Sequence, residues 1–566
     1  MVAHSVRGYQ GDYKTDRQRV ACCMRGFVGS GGGQPSGGRL RGVHHIPDPH
    51  LLEYHLPGFE AAIASGAAAL MQAPGAVNGE ALGTSPFYLR SLLRDRLHFR
   101  GVMVADQHSS AHTQAQWLHS ASDMRDAVFL ALNNTSVDVG EDVTQNFAPT
   151  TIDLVRTGRI TEDRVTESCA RILQLKKDLG LFDHPFADPN FAGLVGARQD
   201  TVAAQNAVRE SLTLLRNNGG LLPLAPSDRV LFVGPHFNST ALLGGGWNVH
   251  AQGPSPAEGD VVFEGMGESI ISAVRRVAGA DAPIAYHRGF QLTGGPGSTG
   301  STSTSTSEFA QLVRLARQAD KLVVAMGEAP YSGQGADLGE LALDQRQIAL
   351  VQGLHRETRK PLAVVLVAGR PRLLKEVGEI ADAVLNVYLP GAHGGLPVAE
   401  ALYGKFSPSG RLPVTFPKYE SQARDTMWQG ISGSYAPAWP FGFGFGYSPV
   451  TYSNITTDGD TVRPGHPLTV RVTVHNLGPL DQKEPVMLYT SQAFRTGYEP
   501  ELFRLRSFDK LTIKAGSAAV VSFTLTAEEL AYYNRDLTKV VDPSKVNITI
   551  NALTPNERTL TVNLLP

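Results

Sequence analysis

Four short, predominantly apolar runs constrain this chain more than any other feature. They are Val230 to Val233, Leu322 to Met326, Leu362 to Val367 and Ala383 to Leu389. A run this short and almost wholly apolar, broken in the fourth only by Asn386, suits a strand covered on both faces, which is the signature of a central parallel sheet between helices. Beyond Tyr447 the texture changes. Leu468, Val470, Val472 and Val474 alternate with polar residues, as do Val521, Phe523 and Leu525. Alternation of this kind, with turn residues between, predicts a small antiparallel β-sandwich of roughly 110 residues.

The first part of the chain alternates helix-like and strand-like segments. Leu51 to Ala64 reads as a helix and is followed by the apolar run Ala67 to Met71. Ser91 to Leu97 is a second helix, leading into the strand Gly101 to Ala105. Asp126 to Leu132 precedes a short strand at Ser136 to Val139. Val165, Cys169, Ile172, Leu175 and Leu179 keep a helical period that ends at Gly180. This β/α pattern implies a parallel sheet, open or closed into a barrel. The predicted organisation is a barrel-type domain over 1–215, a linker over 216–228, an α/β sandwich over 229–425 and the β-sandwich over 450–566. Gly294 to Ser307, rich in Gly, Ser and Thr, is expected to be a loop.

Bulk properties exclude several classes. A chain of 566 residues exceeds one hydrophobic core. The formal charge of -2 offers no basic field for nucleic acid. No apolar run is long enough to span a bilayer. The three cysteines, Cys22, Cys23 and Cys169, form neither a disulfide framework nor a zinc spacing. His44, His45, His50 and His55 match no standard ligand set, so neither a metal nor a cofactor is expected. Gly29 to Gly38 lacks the Lys and helix context of a phosphate loop. Sequons at Asn133, Asn134, Asn238, Asn454 and Asn547 point weakly to a secretory route, whereas Met1 to Gln18 has no signal-peptide apolar region.

Motifs then make a family match. Pro408-Ser409-Gly410-Arg411-Leu412-Pro413-Val414-Thr415-Phe416-Pro417 resembles the PSGRLP-x-TFP segment of family 3 glycoside hydrolases of the β-glucosidase type. Ser211 to Asn217 with Leu221 to Leu224 resembles the start of that family's second domain. Pro440 to Gly444 resembles its end, and Glu528 to Asp536 the end of its fibronectin-type-III-like third domain. The match runs from Arg7 onward. It implies an incomplete (β/α)8-type barrel, then an α/β sandwich with a mostly parallel sheet, then a fibronectin-type-III-like β-sandwich. It also implies a β-glucoside or short β-glucan as substrate, and a secreted or lysosomal setting.

The resemblance assigns roles to residues. Phe99 to Asp106 resembles the strand ending in the family's nucleophile, so Asp106 corresponds to that group, at the strand end where barrels place catalytic residues. Retaining glycosidases pair such a nucleophile with an acid/base carboxyl about 5 Å away. The family carries that acid in a Gly-Glu-x-x-Tyr-Thr-Glu loop. Here the loop reads Gly327-Glu328-Ala329-Pro330-Tyr331-Ser332-Gly333, and Gly333 occupies the acid's position. Glu328, Asp337 and Glu340 are the nearby carboxyls. Sugar-contacting positions fall on Arg25, Trp247, Glu328 and Tyr331. The family's Lys-His-Phe is replaced by Arg25-Gly26-Phe27, its Ser-Tyr by Ala73-Pro74, and the partner of Trp247 by Ala251. A His acid at His44 or His45, as in the β-N-acetylglucosaminidase branch, lies late in its loop.

A full barrel usually needs about 250 residues, and only about 200 precede the second domain. The family's earlier strands have no counterpart, which leaves a strand edge open. A truncated gene product, a misplaced start or a partner chain covering the edge would each account for it. Two readings stay open: a retaining exo-β-glucosidase working through Asp106, and a non-catalytic relative with a glycan-binding or structural role.

Overall fold

The computed structural model describes residues 1–29, 43–105, 118–140, 146–254, 260–263, 265–293, 298, 300–332, 338–423 and 430–566. The chain forms two compact units, Met1–Val195 with Tyr532–Val540, and Gly196–Ala531 with Val541–Pro566.

In the first unit three parallel strands, β1 (Cys23–Phe27), β2 (Ala69–Gln72) and β3 (Val102–Val104), pair in the order β1-β2-β3. Helices between them make this a run of β/α units, part of a (β/α)8-type barrel. The expected strand over Ser136 to Val139 is a correction. Among the described residues a single parallel bridge forms there, between Val104 and Val139. The cause is Asp138, whose buried carboxylate takes the Met103 N–H at 2.9 Å together with Ser168 Oγ at 2.8 Å and Arg171 at 2.7 Å. A side chain thus occupies a donor that a ladder would use. The helix expected over Leu51 to Ala64 divides into a π-helical segment Leu51–His55 and an α-helix Pro57–Ala64. Pro57 has no N–H to give the preceding turn, and Leu56 N reaches back to Leu51 O.

The second unit begins at Gly196, earlier than the boundary expected at 215. The helix Arg198–Ser211 and strand β4 (Thr213–Asn217) pack into it. Strands β5 (Val230–Val233), β6 (Ile284–His287), β7 (Lys321–Gly327), β8 (Leu362–Val367) and β9 (Ala383–Asn386) complete a sheet of order β4-β9-β8-β7-β5-β6. Every pairing is parallel except that of β9 with β4.

The apolar runs divide by alternation between two cores. Leu231, Val233, Leu322, Val324, Leu362, Val364 and Val384 face one side, and Val230, Phe232, Val323, Ala363, Val365 and Leu385 the other. Helices on both faces therefore require apolar residues at both parities. The end of the tract expected to be a loop is helical instead. Ser305 caps the helix Thr306–Gln318, and Glu308 completes the capping box.

The β-sandwich follows the predicted alternation. Leu468–Asn476 pairs antiparallel with Ala518–Leu525, and Gln482–Gln492 pairs with Arg504–Ile513 and Ser544–Ile550. Within the PSGRLP segment, Arg411 forms a buried ion pair with Glu484 of this sandwich at 2.8 Å, and Tyr452 donates to the same carboxylate at 2.7 Å. Gly410 leaves no room for a side chain, because a Cβ would lie 2.2 Å from the Ser211 carbonyl. Residues 532–540 leave the range expected for the sandwich and pack with the first unit. There Tyr533 and Leu537 lie against its core, and Arg96 sits over the Tyr533 ring.

Candidate active site

Two sets of strand ends carry the sequence-predicted residues, one in each unit. In the first unit, Arg25 is exposed on β1 while Met24 and Phe27 point into the core. Arg25 pairs with Met71 and Phe27 with Gln72, so Gly26 is the extra residue of a β-bulge. Its φ of 85° lies in the left-handed region, which glycine tolerates and other residues adopt at a cost. At the end of β2, Gln72 and Ala73 are buried, and Ala73 N donates to Phe27 O at 2.7 Å. Beyond β3, Ala105 N donates to Val139 O at 2.9 Å. Asp106, the next residue, lies outside the described residues.

The second set is built on the C-terminal ends of β7 and β8. Glu328 directly follows β7, and its side chain is wholly buried. One carboxylate oxygen accepts Gly369 N at 3.2 Å. The other accepts Arg370 Nε at 3.1 Å and faces Arg372 Nη1 at 3.5 Å. The Tyr331 phenol stands beside this carboxylate, and Arg370 stacks over the Tyr331 ring with its guanidinium carbon 4.0 Å from the centroid. Burial raises the Glu328 carboxyl above its ordinary value, while the two guanidinium groups oppose that rise. Burial, with the Glu328 charge beside it, pushes the Tyr331 phenol up to about 12.

Behind this cluster, Gln347 clamps the Gly327 peptide at both ends, accepting its N–H at 3.1 Å and donating to its carbonyl at 3.0 Å. His236 is fully buried with Nε2 3.3 Å from the Glu328 carbonyl. Burial pulls its pKa down to about 4, so the ring stays neutral at ordinary pH.

Tight backbone approaches join the Trp247 loop to this cluster. Gly246 N donates to Tyr331 O at 2.6 Å, and Ser332 N to Gln252 Oε1 at 3.0 Å. A Cβ at Gly246 would fall 2.3 Å from Ser332 Cβ, and one at Gly369 would fall 2.7 Å from the Tyr331 hydroxyl. These glycines are therefore steric requirements of the loop. Trp247 is 73% exposed, and Ala251 accepts its backbone N–H at 2.9 Å. Gly333 and Asp337 lie outside the described residues, and Glu340 is exposed.

The structure thus gathers Glu328, Tyr331 and the Trp247 loop into one assembly of the second unit, while Arg25 belongs to the first. Chemically, Glu328 is occupied. A general acid must reach the leaving oxygen, and this carboxyl is enclosed by two arginines, a backbone donor and a phenol. Sequence reasoning missed Arg370, Arg372, Gln347 and His236. The only available signal was Gly369-Arg370-Pro371 just after an apolar strand. Among the described residues no group of three or more His, Cys, Asp or Glu could hold a metal ion, and no helix is long and apolar enough to cross a membrane.

A barrel-type β/α part, a doubly covered α/β sheet and a fibronectin-type-III-like sandwich define a multidomain architecture that comparisons with known proteins identify. The N-terminal domain model of glycosyl hydrolase family 3 matches residues 1–175, its C-terminal domain model 212–447, and a fibronectin type III-like model 484–553. A lysosomal beta glucosidase of Dictyostelium discoideum is 34% identical over 95% of this chain, which spans 66% of that relative's length. A periplasmic beta-glucosidase of Salmonella typhimurium is 26% identical, covering 96% of this chain and 74% of its own. The crystal structure of a beta-glucosidase from Listeria innocua in complex with glucose superposes with a TM-score of 0.88 at 25% identity, over all of this chain and 77% of that one. The chain belongs to glycosyl hydrolase family 3.

Proposed function

We propose that this chain engages terminal β-D-glucosyl groups of β-glucosides or short β-glucans, with Asp106 as nucleophile, and that as written it turns them over weakly or not at all. The reading is supported by relatives named as beta-glucosidases in the family to which the chain belongs. The low turnover rests on one observation. Gly333 stands where the acid/base Glu is expected, and Glu328, the nearest described carboxyl along the sequence, is buried and held by Arg370 and Arg372. A glycine has no proton to give, and losing a general acid costs about 10²–10⁴-fold. Arg25, Trp247 and Tyr331 are assigned to sugar contact, and Glu328 to fixing the loop that carries Tyr331. A non-catalytic, glycan-binding role is the second reading, favoured by the combined replacements at Gly26, Ala73-Pro74, Ala251 and Gly333.

A dinitrophenyl β-glucoside separates the two, because its leaving group needs no acid. With a working Asp106 the protein accumulates a covalent glucosyl adduct, seen by intact mass, since deglycosylation lacks its base. Absence of an adduct, or the same mass shift in Asp106→Asn, would sink the catalytic reading.

A further inference from the structure

A cleft of about 860 Å³ opens on the second unit beside the segment that follows β8. Its aromatic surface comes from Trp439 and Tyr419. Trp439 is half-buried and fixed edge-on against Phe416, with backbone pairing between the two residues, while Tyr419 is 58% exposed. Around them stand Glu340, Lys375, Glu379 and Lys418. Glu340, Glu379 and Lys375 have no side-chain hydrogen bond or ion pair among the described residues, and the Lys418 ammonium contacts only the Tyr419 ring, at 5.7 Å. The wall behind them is fixed. Glu420 accepts Leu341 N at 3.0 Å, Leu373 N donates to Leu341 O at 3.0 Å, and Arg372 donates to Ala342 O at 2.6 Å.

We infer that this cleft binds a neutral saccharide, independently of whether Asp106 reacts. Two carboxylates, unpaired among the described residues, and two ammonium groups balance in charge. An anionic ligand would face the carboxylates and a cationic one the ammonium groups. A polyol instead donates hydroxyls to the first pair and accepts from the second. The indole and phenol rings offer flat apolar surface to the C–H face of a pyranose. The volume lies in the range of small-molecule sites, about 300–1,000 Å³, and exceeds that of a single sugar ring, which points to an oligosaccharide. The bland alternative, a solvated surface hollow, explains the free charges but not their arrangement around a fixed indole.

Calorimetric titration of cellotetraose and laminaritetraose into the full-length Asp106→Asn protein tests this without hydrolysis. Expected is a binding component that persists in a Trp247→Ala background and that Lys375→Ala with Glu379→Ala weakens about tenfold or more. Both substituted side chains are exposed and have no partner among the described residues, so the fold should survive, which circular dichroism checks. No binding, binding lost with Trp247→Ala but indifferent to the cleft pair, or tighter binding of oligogalacturonate or a glucosamine oligomer than of the neutral chains would overturn the inference.

Discussion

The strand ends of the two units differ in how their polar groups are held. Around Glu328 every charge has a partner: carboxylate, two guanidiniums and one backbone donor close on one another inside the protein, with a phenol beside them. Around Arg25 the structure is made by backbone. A bulge at Gly26 turns the strand, Phe27 fills the core, and Arg25 lies at an exposed position. A buried network of paired charges fixes a loop in one geometry. A glycine bulge fixes the backbone and leaves no chemical group behind. Residues replaced in the first region are therefore built into the backbone, whereas Gly333 follows a scaffold that is still fully assembled.

Restoring lost side chains tests that contrast most sharply. Gly333→Glu should raise turnover of a nitrophenyl β-glucoside by about 10²–10⁴-fold, the contribution of a general acid. Steady-state assay measures it, and Gly333→Gln serves as the control that adds bulk without a proton. An increase of the same size in the Gln variant would show that the Glu328 scaffold does not aim the acid. The next effect is on stability. Glu328→Ala leaves Arg370 and Arg372 facing each other in a buried site. Removing one partner of a buried pair costs about 3–5 kcal/mol. Urea unfolding should show that loss, while Arg25→Ala, at an exposed position, should change stability by less than about 0.5 kcal/mol.

A third effect concerns pH. Burial pulls the His236 pKa down to about 4 in the folded protein against the ordinary 6.5, so the unfolded chain binds the extra proton in between. Stability from this group is complete above pH 6.5 and is lost as pH falls toward 4. The loss amounts to about 3 kcal/mol. Glu328, whose carboxyl is raised, contributes in the opposite sense. The difference between wild type and His236→Phe across that window isolates the histidine. A pH-independent difference would mean that the ring is hydrated and that the scaffold behind Glu328 is looser than described.

Legibility in the sequence followed the same division. The apolar runs announced the central sheet because burial on both faces removes polar residues at both parities. Alternation announced the β-sandwich for the opposite reason. The family motif was readable because Gly410 and Arg411 answer local demands, a close backbone approach and a buried partner at Glu484. The edge strand Ile284–His287, only half-buried along its length, carried no such run. The Glu328 cluster was hidden because its members come from separate segments, near 236, 328, 347 and 370. Only the fold brings them together. Ser136 to Val139 misled because its apolar alternation is genuine, while Asp138 redirects the hydrogen bonds.

The smallest predicted effect bears on the first region directly. By resemblance, Gly26 stands where the family has a histidine, so Gly26→His restores a sugar-contacting group on paper. The backbone argues against it. At φ 85° a side chain crowds its own carbonyl, a cost of about 1–2 kcal/mol that glycine escapes. The bulge cannot relax without shifting Phe27, which is fully buried and packs edge-on against Phe59 at 5.0 Å. Gly26→His should therefore lower unfolding free energy by that amount in urea titration and give no gain in β-glucoside turnover, even in the Gly333→Glu background. Gly26→Ala should show the same stability loss, because the penalty comes from Cβ and not from the imidazole. If Gly26→His is neutral in stability and adds turnover, the bulge is adaptable, and the contrast between a rebuilt backbone and an intact scaffold fails.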